Sequence, residues 1–203
     1  ALSSAASDVY KRQAVYVDLN GDRKIDANDM SYDYGFTDDP EYMIGLNLGF
    51  SWKNWEVNTQ WTGAWNVSRM ISDVFRQPFV SSAGSNAGGL LSYHLDHTWT
   101  PENPSQSAEY PRATQVNASN NYATSTLFEK DAKYLRLKTL QVAYNFQFPL
   151  MKKLGLTTCQ LAFSGYNLLT FSPYLWGDPE ATASNAPTYP LTKTYTLSLK
   201  LGF

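Results

Sequence analysis

The sequence predicts an all-β fold: about five antiparallel strands of a transmembrane β-barrel, joined by short turns at one end and long extracellular loops at the other. Three observations lead there. Apolar and polar residues alternate with a period of two over separate stretches, the apolar sides of those stretches carry no charge, and the connections between them are alternately short and long. Composition points the same way. Only 17% of residues are charged while 15% are aromatic, against roughly 25% charged in an average soluble domain.

Residues 1–13 are small and polar without alternation, and read as a non-native or unstructured leader. Residues 14–41 read as an extracellular loop. Inside it Asp18, Asn20, Asp22, Asp26 and Asp29 place side-chain oxygens at the spacing of a calcium-binding loop, with the Lys24 carbonyl as a further ligand. Arg23 stands where such loops use glycine and Asp29 where they use a bidentate Glu, and both changes weaken affinity. A structural calcium is expected here, the competing reading being a solvated loop of Asx turns.

Residues 42–67 read as a hairpin. Tyr42, Ile44, Leu46, Leu48, Phe50 and Trp52 share one face, against Gly45, Asn47, Gly49 and Ser51. After a turn at Lys53-Asn54 the pattern restarts with Trp55, Val57, Thr59, Trp61 and Trp65 against Glu56, Asn58, Gln60 and Thr62. Residues 68–133 form a long extracellular loop.

A second hairpin covers 134–167. Its first strand, extending to about 148, sets Leu140, Val142, Tyr144 and Phe146 against Thr139, Gln141 and Asn145. The phase slips near Lys138 because Leu135 and Leu137 are also apolar, which predicts a bulge or the level where the strand leaves the bilayer. The second strand opposes Cys159, Leu161 and Phe163 to Gln160, Ser164 and Tyr166. Residues 168–192 form the third long loop. Residues 193–203 are the cleanest strand, with Tyr195, Leu197, Leu199, Leu201 and Phe203 against Thr194, Thr196, Ser198, Lys200 and Gly202.

Alternation alone does not separate a soluble sandwich from a barrel. The uncharged apolar faces do, because Lys or Arg at the bilayer midplane costs roughly 2–4 kcal/mol. Trp52, Trp55, Trp65, Tyr144 and Phe148 stand near strand ends, where membrane interfaces favour amphipathic rings. The loop lengths add polarity: the turns at Lys53-Asn54 and Met151-Lys152-Lys153 are periplasmic, everything before Tyr42 is extracellular, and Phe203 ends in the periplasm. Five strands do not close a barrel, and an open edge in lipid leaves backbone groups unpaired, so the chain is expected to be part of something larger.

Other classes are poorly supported. A net charge of -2 offers no basic excess for nucleic acid. Cys159 is the single cysteine and reads as a small apolar strand residue. His94 and His97 flank Asp96 without an evident third ligand, so a surface or loop-packing role is expected. No catalytic motif is visible and no enzyme activity is expected. Asn47, Glu56, Asn58, Gln60, Thr62 and Lys200 are expected to face the lumen, where they bind a polar solute or hold a plug.

Several segments, in order along the chain, resemble the SusC/RagA-like TonB-dependent transporters of Bacteroidetes outer membranes. They are Tyr16-Val17-Asp18-Leu19-Asn20-Gly21-Asp22, Trp99-Thr100-Pro101-Glu102-Asn103-Pro104, Tyr110-Pro111-Arg112, Tyr134-Leu135-Arg136-Leu137-Lys138, Ser164-Gly165-Tyr166-Asn167-Leu168-Leu169-Thr170-Phe171 and Asp178-Pro179-Glu180. The resemblance implies that 14–203 is the C-terminal part of a barrel of about 22 strands with an N-terminal plug. It also implies import of oligosaccharides or peptides, a SusD-like surface lipoprotein as lid, and energy from the TonB-ExbB-ExbD complex. The strand from Tyr195 to Phe203 resembles the signal read by the barrel assembly machinery. The alternative carried beside it is a soluble, calcium-stabilised carbohydrate-binding module, suggested by the aromatic content and the acidic loop.

Overall fold

The computed structural model describes residues 13–31, 33–71, 73–79, 89–105, 108–113, 118–153, 155–181 and 191–203. Of the leader expected at 1–13 only Gln13 falls among them, and parts of the loops at 68–133 and 168–192 also lie outside the described residues. Among the described residues there are seven strands: β1 (Tyr42–Trp52), β2 (Trp55–Trp65), β3 (Ser68–Met70), β4 (Glu129–Asp131), β5 (Tyr134–Asn145), β6 (Thr158–Phe171) and β7 (Thr194–Gly202). The chain forms two compact units, one drawn from 39–67, 132–181 and 189–203, the other from 1–38, 68–131 and 182–188.

The first unit is one five-stranded sheet in the order β1-β2-β5-β6-β7, with every neighbouring pair antiparallel. Register shows what the alternation builds. Leu48 pairs with Thr59, Thr59 with Leu140, and Phe163 with Leu197, so the apolar sides of all five strands fall on one face. That face is most open on the outer strands, where Phe50 is 64% exposed, Leu197 71% and Leu199 62%, and it is partly covered along β5. The strands are 11, 11, 12, 14 and 9 residues long, close to or above the roughly 9–11 that a tilted strand needs to cross a bilayer. Among the described residues no helix is long and apolar enough to cross a membrane, which says nothing about strands.

The slip at Lys138 is a bulge. Gln60 pairs with Thr139 and Trp61 with Leu137, which leaves Lys138 unmatched and returns Leu135 and Leu137 to the apolar face. β6 carries its own irregularity at the same level, where Leu137 pairs with Leu169 and Thr139 with Tyr166. Asn167 there takes a φ of 53°, a left-handed conformation that Asn tolerates better than most residues. Because two residues of β6 drop out of the pairing here, its phase is kept and the strand continues to Phe171, past the expected end at 167. It stops before Pro173, which has no N–H to donate. β5 ends at Asn145, short of 148, as the chain approaches Pro149 and turns into the short helix Leu150–Lys153.

Tyr42 pairs with Trp65, Ala64 with Tyr134, and Leu135 with Phe171. The chain preceding β1, the 66–133 connection and the segment following β6 therefore all leave the sheet at one end. The two short connections, Lys53-Asn54 and 146–157, lie at the other. At the short-turn end Trp52 pairs with Trp55, and Trp55 meets Tyr144 edge-on at 4.8 Å.

In the second unit, the stretch expected as a long loop has its own small core. β3 and β4 pair through Ser68 and Asp131, Arg69 and Lys130, and Met70 and Glu129. Three-residue strands carry too little alternation to be read from sequence. Ile71, His94, Tyr110, Asn121 and Phe128 are almost fully buried, with the Tyr110 and Tyr122 rings each 6.1 Å from Phe128.

Candidate functional site

The polar face of the sheet gathers the residues expected to face a lumen. Asn47 pairs with Gln60 and Gln60 with Thr139; Asn58 pairs with Gln141, Gln141 with Ser164 and Ser164 with Thr196. At the short-turn end, Asn145 donates to Glu56 Oε1 at 2.8 Å and accepts from the Gln160 amide at 2.9 Å. Lys200 is the register partner of Gln160, so it belongs to the same corner. This surface offers donors and acceptors across all five strands, which suits hydrogen bonding with a polar solute or water.

At the long-loop end the polar face carries a feature the sequence reading missed. Arg136 lies in the row Thr62–Arg136–Thr170 and is 2% exposed. Its Nη2 is 2.6 Å from Asp178 Oδ1, its Nη1 is 2.6 Å from Glu180 Oε2, and its Nε donates to Thr170 Oγ1 at 3.0 Å. Lys138 approaches Glu180 at 3.4 Å. The planar guanidinium presents its donors in a fixed fork, so several acceptors position it more firmly than they would a lysine. Asp178 also accepts the N–H of Glu180 at 2.9 Å. Gly177, with a φ of 152°, precedes it in a conformation that a Cβ disfavours. The available signal was an arginine between two leucines and an Asp-Pro-Glu loop. A separation of 42 residues hid their pairing.

The acidic loop is a closed hydrogen-bonded turn. Asp18 accepts the N–H groups of Gly21 and Arg23, each at 2.7 Å. Asn20 accepts from Asp22, Asp22 from Lys24, and Asp26 from Asn28, each at 2.8 Å. Asp29 accepts from Asp26 at 2.9 Å and Leu19 at 2.8 Å, closing the loop. These backbone donors, that of Asp26 foremost, hold the Asp29 carboxyl below the ordinary value. Arg23 takes a φ of 66°, the left-handed conformation for which such loops use glycine. Among the described residues no group of three or more His, Cys, Asp or Glu side chains is disposed to hold a metal ion. Asx turns account for the hydrogen bonds that shape the loop.

The two histidines serve packing. His94 Nε2 meets the Phe75 carbonyl at 2.7 Å and its Nδ1 accepts the Leu91 N–H at 3.3 Å, so the neutral ring satisfies both contacts. His97 stacks on Tyr93 at 3.8 Å. Tyr93 donates to Glu109 at 3.0 Å, and burial, followed by this contact, pushes its hydroxyl up to about 12.

On β7, Tyr195, Leu197, Leu199 and Leu201 are exposed on the apolar face, and Phe203 just beyond it is 85% exposed.

No family model matches the chain. Two curated relatives do, both from Formosa agariphila. TonB-dependent receptor P3 is 26% identical over 93% of this chain and 19% of its own length, and TonB-dependent receptor P26 is 29% identical over 94% and 19%. The chain thus spans about a fifth of the relatives it matches. Among solved structures, the RagAB peptide transporter superposes with a TM-score of 0.66 at 23% identity, over 89% of this chain and 19% of that one. The RagAB peptide importer in its closed-closed state gives 0.64 at 23% identity, over 90% and 20%. These relatives are named as receptors and transporters, not as enzymes. The chain is similar to the TonB-dependent receptors, and its five-stranded sheet matches part of the β-barrel of the RagAB transporter.

Proposed function

We propose that this chain forms part of the wall and mouth of a TonB-dependent importer in the outer membrane of a Bacteroidetes-like bacterium, acting without covalent chemistry. The observation that supports it most directly is the charge-free apolar face shared by all five strands and widely exposed on β1, β6 and β7, backed by a face rich in Asn, Gln, Thr and Ser. Water would not favour so large an apolar surface, whereas hydrocarbon accepts it. Among the described residues β1 and β7 each pair on one side only. In lipid, their free N–H and C=O groups require further strands to close the wall.

The cargo class we propose is an oligosaccharide or a peptide, both of which present the hydroxyl or amide groups that the polar face can pair. Peptide is the cargo named for RagAB. The partners proposed are a SusD-like surface lipoprotein over the extracellular mouth and the TonB-ExbB-ExbD complex, acting through regions outside this stretch. The barrel assembly machinery would read the strand of Tyr195, Leu197, Leu199, Leu201 and Phe203. A structural calcium held by Asp18, Asn20, Asp22, Lys24, Asp26 and Asp29 also stands as a proposal, checked by a rise in melting temperature on adding calcium that Asp18→Asn abolishes.

Fractionation of cells expressing the full-length protein tests the main reading. Recovery in the detergent-extracted outer membrane, with gel mobility that changes on heating, is expected. A freely soluble, monodisperse protein would overturn it in favour of a calcium-stabilised carbohydrate-binding module.

A further inference from the structure

Residues 172–181 lie over the polar face of the sheet, and two separate anchors hold them there. The first is ionic: Asp178 and Glu180 meet Arg136, whose row on the sheet is that of Thr62 and Thr170. The second is apolar. Tyr174 packs against the buried cluster of Ala64, Val67, Ala132 and Tyr134, in which Ala64 and Tyr134 are register partners on the same face as Arg136. The Arg136 guanidinium also stands 5.5 Å from the centre of the Tyr134 ring, which links the two anchors.

The pattern reverses what a soluble half-buried sheet shows. At this end Ala64, Tyr134 and Arg136 are buried on the polar face, while on the apolar face Tyr42, Trp65 and Phe171 are exposed and Leu137 is buried. If the polar face bounds a lumen, as the proposed function has it, a segment crossing that face occupies the conduit.

We propose that Arg136 is a positioning residue that fixes residues 172–181 across the conduit as a rigid constriction, so that the strap sets the passage at this level. The fork of Arg136 supplies the rigidity, because it binds two carboxylates at 2.6 Å and is itself held at Nε by Thr170. Lys138, the bulge residue, adds a second cation to Glu180. Release of the fork would remove the main ionic anchor and loosen the strap around Asp178 and Glu180.

Cysteine accessibility in the full-length protein tests this. In a Cys159→Ser background, Thr62→Cys places a thiol on the polar face beside Arg136, at a position where the threonine hydroxyl is buried without a hydrogen-bond partner. With the strap in place, a water-soluble, membrane-impermeant maleimide labels it slowly. Arg136→Gln, and independently Asp178→Asn with Glu180→Gln, are expected to raise the rate on the order of tenfold by opening the strap locally. Arg136→Lys, which keeps the charge and loses the fork, gives an intermediate rate. Unchanged labelling in variants that keep heat-modifiable mobility would overturn the proposal. A separate Leu199→Cys thiol, on the apolar face, reports on the barrel itself. If the same reagent labels it freely in the folded parent, the membrane reading fails instead.

Discussion

Arg136 Nη2 and Asp178 Oδ1 lie 2.6 Å apart, with side chains only 3% and 8% exposed. A charge pair this dry gains little net stability over an apolar pair, but removing one partner strands the other. Glu180, at 37% side-chain exposure, is the weaker member and contributes less because water screens it.

Arg136→Met is accordingly expected to destabilise the folded protein by about 3 kcal/mol or more. Asp178→Asn with Arg136→Met should recover part of the loss, because no buried charge is then left alone. Urea midpoints of the detergent-solubilised protein check both. A loss confined to a few tenths of a kcal/mol would show the pair to be solvated.

The open apolar face predicts an asymmetry between neighbouring positions. Leu48→Arg is expected to cost roughly 2–4 kcal/mol of insertion free energy if the residue sits near the bilayer midplane. Asn58→Arg, on the opposite face, should cost far less. Folding yields into lipid vesicles distinguish the two substitutions, and equal penalties would contradict the assignment of faces.

The bulge makes a sharper demand on the chain. Deleting Lys138 moves one half of β5 by a residue, which sends either Leu135 and Leu137 or Leu140, Val142 and Tyr144 to the wrong face. Loss of the heat-modifiable folded band is expected. Replacing Lys138 by Ser keeps the extra residue and should retain the band.

These expectations show how much the residues disclose before any coordinates. Alternation placed β1, β2 and β7 and put Asn47, Glu56, Asn58, Gln60, Thr62 and Lys200 on one face, because side-chain period and strand pleat are the same physical fact. It stopped at the ends. Four residues of β6 continue beyond Asn167, where two residues drop out of the pairing with β5, and β3 and β4 are too short for any phase to show. The Arg136 anchor depends on a contact between a strand and a distant loop, for which no local periodicity exists. The acidic loop shows the opposite limit. Its spacing was plain, yet the same Asp residues satisfy an Asx-turn network as readily as a metal.

That network has a pH signature. Asp29 has a carboxyl held below its ordinary value of 3.8 by the N–H groups of Asp26, Leu19 and Asn20. A lowered value means that the folded loop prefers the ionised form, so its contribution is complete above the ordinary value and is lost as pH falls through the lowered one. A fluorophore on Ala27→Cys, in a Cys159→Ser background, should keep high anisotropy at neutral pH and lose it only as pH falls below the ordinary carboxyl value of 3.8. Asp29→Asn should be loose already at neutral pH and lack the transition.

The most direct measurement is the contact environment of alternate residues in the full-length protein reconstituted into bilayers. Spin labels placed singly at Leu46, Asn47, Leu48, Leu197, Ser198 and Leu199 report collisions with oxygen, which concentrates in hydrocarbon, and with a water-soluble nickel complex. The labels at Leu46, Leu48, Leu197 and Leu199 are predicted to favour oxygen and those at Asn47 and Ser198 the nickel complex, giving a period of two along both strands. Equal access of the nickel complex to all six, or protection of the leucines from both reagents, would contradict a hydrocarbon-facing sheet.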